Sequence, residues 1–131
     1  ISWLVEIFVL KDVLKDYQNE DCWIAFEYTI PRIGKRIDAV ILLRERVFVL
    51  EFKAGEDSFN RQDIDQVLDY ALDLKNFHQG SSDRMIVPVL VATESSNHSK
   101  TIQLSHYNDG IYEPWLTNRE GLFEVFHMVL N

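Results

Sequence analysis

The sequence predicts an α/β domain built on a mixed central sheet flanked by helices. Three observations carry that expectation. Two apolar runs, 37–43 and 47–53, are separated only by Arg44, Glu45 and Arg46, a connection short enough only for an antiparallel hairpin. Both faces of the second run are apolar, which requires cover on both sides of the sheet. A helical pattern at 60–78 then leads to a further apolar run at 85–92, and strands interleaved with helices in this way are the mark of an α/β fold.

Each element follows from local pattern. Residues 2–17 have helical spacing, with Leu4, Ile7, Phe8, Leu10, Val13 and Leu14 on one broad stripe and Ser2 as N-cap. Residues 22–30 form a first strand with Trp23, Ala25, Glu27 and Thr29 on one face, and Pro31 and Gly34 punctuate the loop after it. The hairpin comes next, then a loop at 54–59 containing Gly55. Asn60 caps the next helix, Asp63 and Asp65 suit the positive end of its dipole, and Gly80 stops it. Pro88 cannot donate to a sheet ladder, so it places the strand 85–92 near an edge or a bulge. Residues 93–99 are polar and loop-like, 100–105 form a short last strand, 107–115 a turn-rich connection and 118–130 a closing helix.

Length and composition narrow the class. The 131 residues suit one domain, 1–131, with a single core. No apolar stretch approaches the roughly 18 residues of a membrane helix. The net charge of −8 argues against a generic nucleic-acid-binding surface, though not against an enzyme that acts on nucleic acid. The single cysteine, Cys22, cannot make an internal disulfide or a zinc site, which suits a reducing compartment and a cytoplasmic location. Arg32, Lys35 and Arg36 form the one dense basic patch, either a solvated loop or a set of phosphate contacts. His78, His98, His106 and His127 lack metal-pair spacing, and Tyr112 and Trp115 suit the edge of a core better than a base-stacking platform.

The charges inside the two apolar runs are the informative exception. Asp38 opens the first, and Glu51 and Lys53 close the second. Burying an unpartnered charge costs several kcal/mol, comparable with the stability of a small domain. Alternation puts Asp38, Val40 and Leu42 on one face of the first strand, and Val47, Val49, Glu51 and Lys53 on one face of the second. A four-residue loop of Arg44 to Val47, closed by Leu43 facing Phe48, puts Lys53 opposite Asp38 and Glu51 opposite Val40. Asp38 and Glu51 are then diagonal neighbours on one face, at roughly 7–8 Å between backbones. An odd-numbered loop would put them on opposite faces. No residue here suits an Asn-Gly type of two-residue turn. Two carboxylates and an ammonium converging in this way suit a divalent cation and an activated water.

Asp38, a gap of twelve residues, then Glu51-Phe52-Lys53 resembles the signature of the PD-(D/E)XK nuclease superfamily. Gln66-Val67-Leu68-Asp69-Tyr70, on the next helix, is similar to the Gln-x-x-x-Tyr motif of its RecB-type branch. Ile37 stands where the name-giving motif has proline, which leaves the acid itself intact. The resemblance implies a restriction-endonuclease-like αβββαβ core and a hydrolase that cleaves nucleic acid, DNA in preference to RNA. It implies that Asp38, Glu51 and the Phe52 backbone carbonyl bind Mg²⁺ or Mn²⁺, with Glu6 on the first helix as a possible fourth ligand. Glu6 reads equally as a surface glutamate. Lys53 would orient or help deprotonate the attacking water, Gln66 would bond that water or a catalytic side chain, and Tyr70, Lys35 and Arg36 would contact substrate.

Residues 3–95 further resemble the N-terminal nuclease-like domain of schlafen-like P-loop helicase/ATPase proteins. No Gly-x-x-x-x-Gly-Lys-Ser/Thr motif occurs in the chain, which opens on Ile1. The expectation is therefore a domain excerpted from a longer protein, with its ATPase partner beyond Asn131. The alternative is a catalytically silent module of the same fold that binds nucleic acid or docks to the ATPase.

Overall fold

The computed structural model describes residues 3–30, 34–53, 59–77, 83–93, 100–101, 107–108 and 110–131. Ser2, Pro31, Arg32, Gly55, His78, Gly80, His98 and His106 lie outside the described residues. The chain forms α1 (Trp3–Leu14), a 3₁₀ turn (Lys15–Tyr17), β1 (Cys22–Thr29), β2 (Arg36–Leu43), β3 (Arg46–Lys53), α2 (Arg61–Phe77) and β4 (Met85–Ala92). Short strands follow, β5 (Lys100–Thr101), β6 (Tyr107–Asn108), β7 (Ile111–Tyr112) and β8 (Trp115–Thr117), and α3 (Leu122–Leu130) closes the fold.

The sheet is mixed, as the pattern predicts. β1 pairs with β2 and β2 with β3 antiparallel, and β3 is parallel to β4. Beyond β4 lie β7 and β8, each parallel to it, carrying β6 and β5 as antiparallel partners. Helices cover both faces. Val9, Leu10 and Val13 of α1, with Leu122, Val125, Phe126 and Val129 of α3, pack on one face of the sheet. Val67, Ala71 and Leu74 of α2 pack on the other, over Val40, Val47, Val49 and Leu90. The Phe126 ring stacks on Phe48, with centroids 4.1 Å apart. No described helix is long and apolar enough to cross a membrane.

Five local expectations change. The β2–β3 loop has two residues, not four, because Leu43 pairs with Arg46. Arg44 and Glu45 both adopt positive φ, 50° and 62°, the twist of a tight hairpin normally left to Gly or Asn. Tertiary contacts hold them there. Arg44 donates to both carboxylate oxygens of Glu20 at 2.7 Å and lies over the Tyr17 ring, while Arg84 donates to Glu45 at 3.0 Å.

Pro88 lies in an inner strand, not at an edge. The Ile86 N–H bonds Gly110 on the β7 side, so two residues on the Pro88 nitrogen faces that side too. There the partner changes from β7, paired at Ile86, to β8, paired from Val89, so no ladder donor is missed. On α1 the buried face carries Glu6, Val9, Leu10 and Val13, whereas Leu4 and Phe8 are exposed. A helix apolar nearly all round gives periodicity nothing to discriminate. The closing helix starts at Leu122 rather than 118, because buried Asn118 accepts the Gly121 N–H at 2.7 Å and makes a turn first. The connection 107–115 contains strand pairs too short to leave an alternating pattern.

Phe126→Ala removes a fully buried ring and its stacking partner. It is expected to lower the free energy of unfolding by about 3–5 kcal/mol, measured by chemical denaturation. A loss below about 1 kcal/mol would contradict the packing described.

Candidate active site

The site forms where β2 and β3 part. The ladder ends at Ala39–Leu50, so Asp38 and Glu51 are the next residues outward on the two strands. Backbone pairing gives way there to side chains. The Asp38 N–H donates to Glu51 Oε1 at 3.0 Å, and the Phe52 N–H donates to Asp38 Oδ2 at 2.8 Å. Each carboxylate thus takes a backbone donor from the opposite strand. The expected parity holds, with both acids on one face, but they stand opposite each other rather than diagonally. The two-residue loop moves the register by two positions and keeps the face.

Glu51 is buried, and Lys53 is half-buried two residues further along the same face. The Lys53 carbonyl accepts the Thr93 N–H at 3.1 Å and the Thr93 hydroxyl at 3.3 Å, so the end of β4 fixes its backbone. Its ammonium donates to Gln66 Oε1 at 3.1 Å and lies 3.4 Å from Asp63 Oδ1. Gln66 Nε2 donates to the Tyr70 hydroxyl at 3.1 Å. This amide orientation gives both atoms complementary partners, since an ammonium is donor only. Asn60 starts α2 as predicted, its side chain accepting the Asp63 N–H at 2.9 Å. The 3.6-residue period then lines Asp63, Gln66 and Tyr70 along one face.

Of the residues predicted from sequence, the structure brings together Asp38, Glu51, Lys53, Gln66 and Tyr70. Phe52 sits between the two site residues of β3, with its side chain buried in the core on the opposite face. Glu6 is buried rather than superficial, and among the described residues its Oε1 has no hydrogen-bond partner. Lys35 is turned to Asp73 at 2.9 Å, and Arg36 is exposed at the start of β2. A groove of about 800 Å³ runs beside the site, lined by Lys35, Lys53, Arg61, Asp63, Gln66 and Tyr70 among others. Asp63 and Thr93 were not singled out as site residues. Helical spacing from Gln66 could have found Asp63, but no local signal marks Thr93.

The electrostatics are those of crowded acids. Burial first, then the negative charge of Asp38, raises the Glu51 carboxyl from 4.5 to about 8. Burial and then Asp38 raise Glu6 from 4.5 to about 7. Burial, followed by the charge of Glu51, raises the Tyr70 hydroxyl and keeps it a neutral donor. Among the described residues no three His, Cys, Asp or Glu side chains gather as a metal cage. The donor set nevertheless fits a hard cation. Mg²⁺ is held by one or two carboxylates with waters completing its shell, and a divalent charge would relieve the repulsion that raises Glu51. Comparison with protein-family models and with curated proteins gives no match.

A raised acid keeps in the fold a proton that the unfolded chain has already released. Between about pH 4.5 and about pH 8 the unfolded state binds fewer protons at Glu51, so stability falls as pH rises through that window. In EDTA, unfolding titrations across this range are expected to show that decline, flattened in Glu51→Gln. A wild-type stability that rises across the window relative to Glu51→Gln would contradict it.

Proposed function

We propose that this chain is a divalent-cation-dependent nuclease domain of the PD-(D/E)XK type, hydrolysing phosphodiester bonds in nucleic acid. The observation that carries the reading is the convergence of Asp38 and Glu51 at the open end of a hairpin with Lys53, itself bonded to Gln66. The order α1, β1, β2, β3, α2, β4, with α1 and α2 on opposite faces, supports the restriction-endonuclease-like reading of the fold. The family resemblance selects DNA over RNA and an ATPase as partner within a longer chain.

Asp38 and Glu51 would hold Mg²⁺ or Mn²⁺, with the Phe52 carbonyl and Glu6 as further oxygen donors. Bound there, the cation supplies Lewis acidity, lowering the pKa of water and offsetting charge on the scissile phosphate. The chain's own residues do the rest. The Lys53 ammonium orients the attacking water and balances charge gathering on the phosphoryl oxygens. Hydrolysis joins the water oxygen to phosphorus, breaks one P–O ester bond and passes the water proton to the departing oxygen. Gln66 fixes Lys53, and the neutral Tyr70 hydroxyl is placed to donate to a substrate oxygen. β4 anchors Lys53 through Thr93, which limits drift of the amine.

One observation favours a second reading, a silent module that binds or docks. Among the described residues, each cation lining the groove is paired with an acid of α2, namely Lys35 with Asp73, Lys53 with Asp63 and Arg61 with Asp65. Such a surface offers few free charges to phosphates.

The deciding experiment is cleavage of labelled single- and double-stranded DNA and RNA in Mn²⁺ or Mg²⁺. Asp38→Ala, Glu51→Ala and Lys53→Ala are each expected to slow cutting by on the order of 10²-fold or more while the protein stays folded. Wild-type rates in all three purified variants would refute the nuclease reading. Binding without cutting by the wild type would favour the silent module.

A further inference from the structure

The ammonium of Lys53 stands near two sets of anions. Along β3 it shares a face with Glu51, two residues away and roughly 7 Å along the strand, and its charge acts on that carboxyl. From α2, Asp63 and Gln66 reach it at 3.4 and 3.1 Å. A lysine stem is long and flexible, and the negative charge shared by the paired acids attracts it. Left to β3 alone, the amine would lie over the Asp38–Glu51 pair as their counter-ion and take the place a divalent cation needs. Asp63 is well placed to prevent this. Its side chain is only 16% exposed, so its charge is poorly screened, and its backbone is fixed by the Asn60 cap. Gln66, neutral and already bonded to Tyr70, cannot compete with two carboxylates by itself.

We infer that Asp63 is a positioning residue that holds the Lys53 ammonium on the α2 side, keeping the Asp38–Glu51 pair open to a divalent cation. This rests on the proposed cation-dependent reading of that pair. Asp63 touches neither cation nor substrate and acts through Lys53 alone. Among the described residues, Asp63 and Gln66 take two of the three ammonium donors, and the third can serve a water or a phosphoryl oxygen.

The test is Mn²⁺ affinity, measured by calorimetry on folded wild type, Asp63→Asn, Asp63→Glu, Lys53→Met and the double variant Asp63→Asn/Lys53→Met. Asp63→Asn is expected to weaken binding roughly tenfold, in the range seen for outer partners of metal ligands. Asp63→Glu should restore most of it, and the loss should largely vanish in the Lys53→Met background, where no amine remains to hold. A crystal structure of cation-free Asp63→Asn should show the Lys53 ammonium moved onto the Asp38–Glu51 pair. Unchanged Mn²⁺ affinity in Asp63→Asn, an equal loss in the Lys53→Met background, or an unmoved ammonium would overturn the inference while wild-type binding upholds the cation site. No Mn²⁺ binding by the wild type would overturn both.

Discussion

Two carboxyl groups facing each other at a half-buried end of the sheet make the organising constraint of this domain. Asp38 and Glu51 repel, and burial adds to the cost of charging Glu51. The fold offsets this with backbone N–H donors, one from each strand, each aimed at the carboxylate of the other. That exchange is possible only where the ladder stops, because inside it those donors would be committed to carbonyls. The acids must therefore sit at the end of the hairpin, opposite each other. Everything that sets the β2–β3 register also sets the site.

The register is fixed at the far end of the hairpin, at Arg44 and Glu45. Positive φ at two ordinary residues costs of order 1 kcal/mol each. The turn persists because its side chains are tied down elsewhere, Arg44 to Glu20 and the Tyr17 ring, Glu45 to Arg84. A looser four-residue loop would keep the acids on one face but slide them into a diagonal arrangement, and Phe52 could no longer donate to Asp38. Contacts from Tyr17 and Glu20, after α1, and from Arg84, just before β4, thus reach the site through strand pairing. On the other side, α2 and Thr93 locate Lys53, so the site is assembled from β2, β3, β4 and α2 rather than from one segment.

What was legible in the sequence was what alternation and periodicity encode. The paired runs, their double-sided cover and the shared face of Asp38, Glu51 and Lys53 follow from periods of 2 and 3.6, and the Asn60 start of α2 from its capping side chain. Loop length was not legible, because Arg44-Glu45 carries no turn chemistry and its conformation is imposed by partners distant in sequence. The Pro88 expectation failed because the rule concerns a missing donor, and here the donor is missing where the neighbouring strand changes. The buried face of α1 was misplaced because apolar residues nearly surround it, and so the burial of Glu6 could not be seen. Helical spacing from Gln66 places Asp63 on the same face, but only the fold shows that Lys53 comes to it.

The pairing of every described groove cation with an α2 acid looks at first like an argument against a polyanionic substrate. The pairs are not equal, however. Arg61 and Asp65 are 80% and 55% exposed, and Lys35 is 46% exposed against Asp73, so water and salt already screen both contacts. Exposed pairs contribute about 0–1 kcal/mol, and a phosphate can replace the carboxylate at little cost. Lys53 and Asp63, at 26% and 16%, are far less screened and far harder to separate. On the nuclease reading this sorts the three cations by task. Lys35 and Arg61 can exchange their acids for phosphates as a strand enters, whereas Lys53 stays with Asp63 beside the acid pair. A chain of net charge −8 then admits a polyanion through exchangeable contacts at the rim, without spending the one ammonium that the chemistry would use.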